Sequence, residues 1–100
     1  MKINSSLLIS LARQFGTPLY VYDAELIRKK YAELLSCFLY QKTKLFYAMK
    51  ANYNPEVLKI LLQEGASIDA VSPAEVLLAL KLGFKPGQIL FTANMMTDAE

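Results

Sequence analysis

The chain has 100 residues, 54% of them apolar and 20% charged, with a formal net charge of +2. That is the composition of one globular domain or part of one, and it excludes a disordered tail or linker. Eleven basic residues scattered among nine acidic ones make no surface for nucleic acid or an anionic membrane, and no apolar run nears the roughly 18–20 residues of a membrane span.

Ser5 and Ser6 are placed to cap a first helix with apolar positions Leu7, Leu8, Leu11, Ala12 and Phe15, and Gly16 is placed to end it. Arg13 interrupts the apolar stretch Leu7 to Ala12 and no small-residue cleavage site follows, which argues against a secretion signal. Thr17 and Pro18 open a short β-rich run, Leu19 to Tyr22. Asp23 is a good N-cap for a helix over about Ala24 to Leu39, whose apolar stripe is Ile27, Tyr31, Leu34, Leu35 and Phe38. The charge run Arg28-Lys29-Lys30 reads as a solvated face of that helix.

A more regular pattern begins at Leu45. Leu45 to Met49 reads as a buried strand. Asn54 can cap a helix with Pro55 at its first position, and Gly65 sits where a C-terminal glycine belongs. Ile68 to Val71 reads as a second strand, followed by a helix with Ser72 as cap, Pro73 first and Gly83 after its end. Lys85 to Gln88 is a turn, Ile89 to Thr92 a third strand, and Thr97 to Glu100 looks like the opening of a further helix. Strands alternating with helices at this spacing predict an α/β fold of parallel strands joined by right-handed crossovers, with both sheet faces covered. The pattern reads as the N-terminal piece of a larger α/β protein, an open (β/α)8 barrel, with a doubly wound sheet as the alternative.

The chemistry is bounded by absences. There is no His, which excludes Ser-His-Asp and Cys-His catalytic sets within these residues, and the single Cys37 makes neither an internal disulfide nor a zinc cluster. The Gly-x-Gly-x-x-Gly and Walker fingerprints are missing. Cys37, beside Phe38 on a helix, is expected to be a buried structural thiol. Tyr20, Tyr22, Phe46, Tyr47 and Phe91 are expected in the core.

In parallel α/β folds reactive groups lie at the C-terminal ends of the strands, which here hold Lys50, then Asp69 and Ser72, then Asn94. Lys50 ends a run of five apolar residues. At a barrel mouth its ammonium would be desolvated, favouring the neutral amine that Schiff-base chemistry needs. The same lysine also reads as the start of a loop with its head in water. Asp69, flanked by Ile68, Ala70 and Val71, needs a partner: either it polarises a group bound near Lys50, or it meets a backbone N–H or a structural cation. Ser72-Pro73-Ala74-Glu75 reads as a capping box, which accounts for Glu75 without a ligand. Asn54 and Asn94 read as cap or turn residues.

Phe46-Tyr47-Ala48-Met49-Lys50-Ala51-Asn52 resembles the "YAxKAN" motif of the pyridoxal-phosphate-dependent group that contains the diaminopimelate, ornithine and arginine decarboxylases. Gly16 to Asp23 is similar to the "GTPLYVYD" segment typical of diaminopimelate decarboxylases. Ile68 to Ser72 with Glu75 is similar to "xDVxSxxE", and Ile89 to Asn94 to "IxFxGN". The four stand in order and in register over about residues 14 to 100. The chain departs from the usual "VSGGE" with Val71-Ser72-Pro73-Ala74-Glu75, and from "HGNNKS" with Thr92-Ala93-Asn94-Met95-Met96-Thr97, where the His is absent.

This resemblance implies a fold, an activity and a site. The fold is the pyridoxal-phosphate-binding (β/α)8 barrel shared with alanine racemase, its first three strands in residues 45–100. Residues 1–44 form a helix-strand-helix segment that partly contributes, through Leu19 to Tyr22, to a separate β-domain. The activity is decarboxylation of meso-2,6-diaminopimelate to L-lysine and CO2, with ornithine, arginine or carboxynorspermidine as alternative substrates and a non-catalytic binding homologue as the reading from another class. Lys50 carries pyridoxal 5'-phosphate as a Schiff base, and Ala48, Asp69 and Glu75 line the cofactor region. The phosphate loop, ring-stacking His and partner-subunit residues fall beyond Glu100, so the 100 residues alone are expected to be inactive and prone to aggregate. A cytoplasmic homodimer acting on a small amino acid is implied, without nucleic acid or membrane.

Overall fold

A computed structural model describes residues 2–92 and 94–99 of the chain. Helix α1 (Ser5–Phe15) is capped by Asn4, whose Oδ1 accepts from the Leu7 N–H at 2.9 Å. Ser5 and Ser6, expected as caps, are instead the first helical residues, because the Asn4 carboxamide already serves the first free N–H groups. Gly16 ends α1 as expected, donating its N–H to Ala12 at 2.9 Å.

Leu19 to Tyr22 forms no strand among the described residues. A strand needs a neighbour to satisfy its N–H and C=O groups, and none lies beside this segment. Tyr20 is 86% exposed and Tyr22 is exposed as well, so neither is a core residue. Asp23 caps α2 (Ala24–Ser36) through its carboxylate and the Leu26 N–H at 3.1 Å. The helix stops before Leu39: Cys37 and Phe38 donate to Leu34 and Leu35, three residues back, which tightens and closes the last turn. Beyond it Leu39 is 97% exposed. Cys37 is exposed, its thiol donating to the Glu33 carbonyl at 3.2 Å; the expected buried thiol is corrected, since the described residues leave this helix end exposed. The charge run also divides. Lys29 and Lys30 face solvent beside Glu33, but Arg28 reaches α3 (Pro55–Gln63), pairing with Glu64 at 3.4 Å and donating to Gln63 at 3.3 Å.

The sheet is three-stranded and parallel, in the order β1 (Phe46–Ala48), β2 (Ser67–Ala70), β3 (Ile89–Phe91). This is the α/β pattern expected from the alternation. The first and third strands are shorter than expected and the second lies one residue earlier at its expected length; Met49 to Ala51 leaves β1 as a turn of 3-10 helix. Helix α3 connects β1 to β2, and α4 (Pro73–Leu82) connects β2 to β3. Pro55 and Pro73 stand at the helix starts, behind Asn54 and Ser72. Gly83 ends α4 in the left-handed region at φ 106°, where a side chain would be strained.

Register and alternation divide the sheet into two faces. Tyr47, Ile68 and Ile89 lie in one row, and Ala70 and Phe91 in the next row on the same face. This face packs on α3 and α4, giving a core of Met49, Leu58, Ile68, Ala70, Ala79 and Phe84. A second cluster, Val57, Leu61 and Ala66, meets Ile27 and Tyr31 of α2. The other face carries Phe46, Ser67, Ala48, Asp69 and Leu90, of which Ser67 is buried and Ala48 and Asp69 half-buried. It is open: Phe46 is 41% and Leu90 47% exposed. Sheet faces are therefore not both covered here, and Phe46 is not a core residue; Tyr47 and Phe91, half-buried on the covered face, do pack against the core. The turn over Asp98 and Ala99 stands where a further helix was expected to open. Ala93 of the third-strand motif and Glu100 lie outside the described residues.

Candidate functional site

The C-terminal edge of the sheet gathers most of the residues singled out in the sequence. Ala48 ends β1 and lies in register with Asp69 of β2, on the open face. Lys50 follows two residues after Ala48, in the middle of the 3-10 turn. Its neighbour Met49 is fully buried, so the turn is anchored while the Lys50 side chain is exposed. No ion pair joins Lys50 to Asp69 among the described residues.

The partner that Asp69 required is the Thr92 hydroxyl, which donates to Asp69 Oδ1. Thr92 is positioned by continuation of the ladder, its N–H donating to the Ala70 carbonyl at 2.9 Å. One oxygen of the carboxylate is thus fixed by a neutral hydroxyl, and no cation neutralises it among the described residues. Thr92 carried no role in the sequence beyond its place in a strand motif. Its signal was position: it follows the third strand where Asp69's own strand is ending.

Glu75 sits in the first turn of α4. Its N–H donates to Ser72 Oγ at 3.2 Å, which is half of the expected capping box. The return bond differs. Glu75 Oε2 accepts from the Val71 N–H at 2.7 Å, one residue earlier than the box requires. The carboxylate thereby ties the end of β2 to the start of α4 and fixes the path of Val71 and Ser72. Asn94 is exposed in a bend, away from any helix start.

A polar network missed in the sequence flanks the Lys50 turn. Tyr47 donates its hydroxyl to the Asn52 carbonyl at 3.1 Å, and Asn52 Nδ2 donates to the Tyr22 hydroxyl at 3.1 Å. Burial holds the Tyr47 phenol above its ordinary value of 10.0, and the adjacent Tyr22 adds to this. An open hollow of about 600 Å³ lies beside it, lined by Tyr20, Tyr22, Ala51, Asn52, Tyr53, Asn54 and Pro55. An apolar groove between α4 and β3, lined by Leu77, Leu80, Ile89 and Phe91 among others, lies on the opposite face from Asp69 and takes no part in this edge.

Among the described residues no group of His, Cys, Asp and Glu could hold a metal ion, and no helix is long and apolar enough to cross a membrane. The edge offers instead a primary amine, a fixed carboxylate and a helix start whose N–H groups are partly engaged.

Comparison with known proteins gives consistent relatives. Residues 24–100 match the family described as pyridoxal-dependent decarboxylase, pyridoxal binding domain. The chain is 48% identical over 94 residues to a diaminopimelate decarboxylase of Methanothermobacter thermautotrophicus, covering 92% of this chain and 22% of that relative. Among solved structures it is similar to a lysine/ornithine decarboxylase complexed with putrescine from Vibrio vulnificus, with TM-score 0.87 and 33% identity over 94% of this chain and 25% of that one. It is also similar to a diaminopimelate decarboxylase from Helicobacter pylori complexed with L-lysine, with TM-score 0.77 and 34% identity over 84% of this chain and 21% of that one. The chain thus spans roughly a fifth to a quarter of these relatives.

Proposed function

The chain belongs to the pyridoxal-dependent decarboxylase family, and on that premise we propose that it supplies the lysine-bearing part of a diaminopimelate decarboxylase, which converts meso-2,6-diaminopimelate to L-lysine and CO2. The observation that carries the reading is the placement of Lys50 just past the first strand of a parallel sheet, beside a register row that holds Ala48 and Asp69.

The donor set fits pyridoxal phosphate. An exposed primary amine on an anchored turn can hold an aldehyde carbon covalently, and Asp69 offers a carboxylate on the same open edge. When bound, the cofactor supplies an electron sink for the pair left behind by departing CO2. The chain's own residues do the rest of what falls within it. Lys50 presents its nitrogen from a turn whose backbone is fixed by Met49, which limits the orientations it samples. Thr92 engages one oxygen of Asp69 and so helps to orient its carboxyl group beside the reacting region. Ala48, with its small side chain in the row beside Asp69, leaves room above the sheet. Glu75 shapes the region through the Val71 and Ser72 backbone, since its carboxylate is engaged by Val71.

The same reading puts residues 45–100 in a (β/α)8 barrel, the open sheet face turned to its interior, with residues 1–44 partly contributing to a separate β-domain. It makes the whole protein a cytoplasmic homodimer acting on a small amino acid. Support comes from the parallel sheet, the bare Asp69 face and the diaminopimelate decarboxylases among the relatives.

The test is CO2 release by the natural-length protein with pyridoxal phosphate, offered meso-diaminopimelate, ornithine, lysine and arginine separately. The expected result is turnover of meso-diaminopimelate with kcat/KM at least about 10²-fold above the others, the discrimination a site gains by pairing a polar group that competitors lack. Preferential turnover of ornithine or lysine would move the assignment to the activity of the Vibrio relative. No turnover of any would leave a binding homologue.

A further inference from the structure

Asn52 closes the turn that carries Lys50, and three of its polar groups are directed. Its main-chain carbonyl accepts from the Tyr47 hydroxyl at 3.1 Å, its Oδ1 accepts from the Asn54 N–H at 3.0 Å, and its Nδ2 donates to the Tyr22 hydroxyl at 3.1 Å. The Asn54 contact is a local turn of a kind common before a helix. The Tyr22 contact is not local, since it joins residues 30 apart and brings the extended segment before α2 against the Lys50 turn. On the other side of Lys50, Met49 is buried in the core. The backbone is therefore held on both sides of a side chain that itself remains exposed.

We propose that Tyr22, Asn52 and Tyr47 form a positioning clamp that sets where the Lys50 amine stands, with Tyr22 supplying the link from outside the sheet. The inference rests on the reading of Lys50 as the cofactor-bearing lysine. None of the three is placed as a catalytic residue; each acts through the turn. The Tyr47 phenol, raised above its ordinary value by burial, is protonated and able to donate at neutral pH. Loosening it should leave the amine accessible but badly aimed, and misplacement of a reacting atom slows capture without hiding it.

That separation is measurable. Tyr22→Phe, Tyr47→Phe and the double variant of the natural-length protein are stripped of pyridoxal phosphate and returned to it. One rate is capture of the cofactor at Lys50, trapped with borohydride and mapped to its peptide. The other is acetylation of Lys50 by acetic anhydride, which requires exposure and little orientation. Each single variant is expected to slow capture about fivefold, the factor that one modest hydrogen bond corresponds to. The double variant is expected to fall short of the product of the two, because both hydroxyls act on one residue. Acetylation is expected to stay at the parent rate. Unchanged capture in both variants, with an adduct on Lys50 in the parent, overturns the clamp alone. Equal loss of capture and acetylation overturns it in favour of a purely structural role. No adduct on Lys50 in the parent overturns the clamp together with the reading on which it rests.

Discussion

The residues at the sheet edge divide by what each side chain is already bound to. Asp69 is held by Thr92, Glu75 by Val71, and Asn52 by Tyr22 and Asn54, with Tyr47 on its main-chain carbonyl, whereas Lys50 is exposed on its turn. Two phenols lie in the packed region behind them. Tyr47 is raised above its ordinary value by burial and by Tyr22, and Tyr31 by burial and by the negative charge of Glu64. For both, folding favours the protonated form. Their stabilisation is fully present below the ordinary phenol value of 10.0 and is lost as pH rises through the higher folded values, because the unfolded chain releases these protons first. Denaturant midpoints measured from pH 8 to 11 should fall at the alkaline end. The double replacement Tyr31→Phe, Tyr47→Phe should flatten that fall. A midpoint that rises above pH 10, or a fall unaltered by the double replacement, would contradict the assignment.

At the scale of elements, helix starts govern how the strands lead into their connections. Ser72 accepts from Glu75 while Glu75 accepts from Val71, so one short segment ends β2 and opens α4. Ser72→Ala removes an N-cap and is expected to cost about 1 kcal/mol, read as a lower denaturant midpoint; Ser72→Asp should restore most of it. Both helices of the regular part, the parallel order of strands and the Asn54 and Ser72 caps were legible in the sequence, because proline, glycine and cap residues act within one turn of where they stand. What was not legible depended on partners elsewhere in the chain. Leu19 to Tyr22 has strand composition but no strand beside it. Cys37 and Phe38 have helical spacing but stand exposed among the described residues. Arg28 looked like part of a charged face until Glu64 stood opposite it. Lys50 and Asp69 could be named as candidates from their flanking residues, but the Thr92 and Asn52 bonds span 23 and 30 residues and no local pattern announces them.

For the molecule as a whole, one sheet face is packed and the other is bare. Phe46 and Leu90 stand exposed on the bare face, and Leu77 and Leu80 on the outer side of α4. Exposed apolar side chains on both sides of the sheet bind hydrophobic probes and promote association. A polypeptide of these 100 residues alone should enhance the fluorescence of an anilinonaphthalene dye and self-associate in sedimentation. A soluble monomer with a sharp two-state transition and no dye binding would contradict that. The sheet edge has a simpler test, because the account stands on one nitrogen. The natural-length protein, loaded with pyridoxal phosphate, is reduced with borohydride, digested and mapped by mass spectrometry. The expected result is a phosphopyridoxyl group on Lys50 and its absence in Lys50→Arg, whose guanidinium keeps the charge but not the nucleophile. A folded, cofactor-loaded protein carrying the group on another lysine, or on none, would contradict the account.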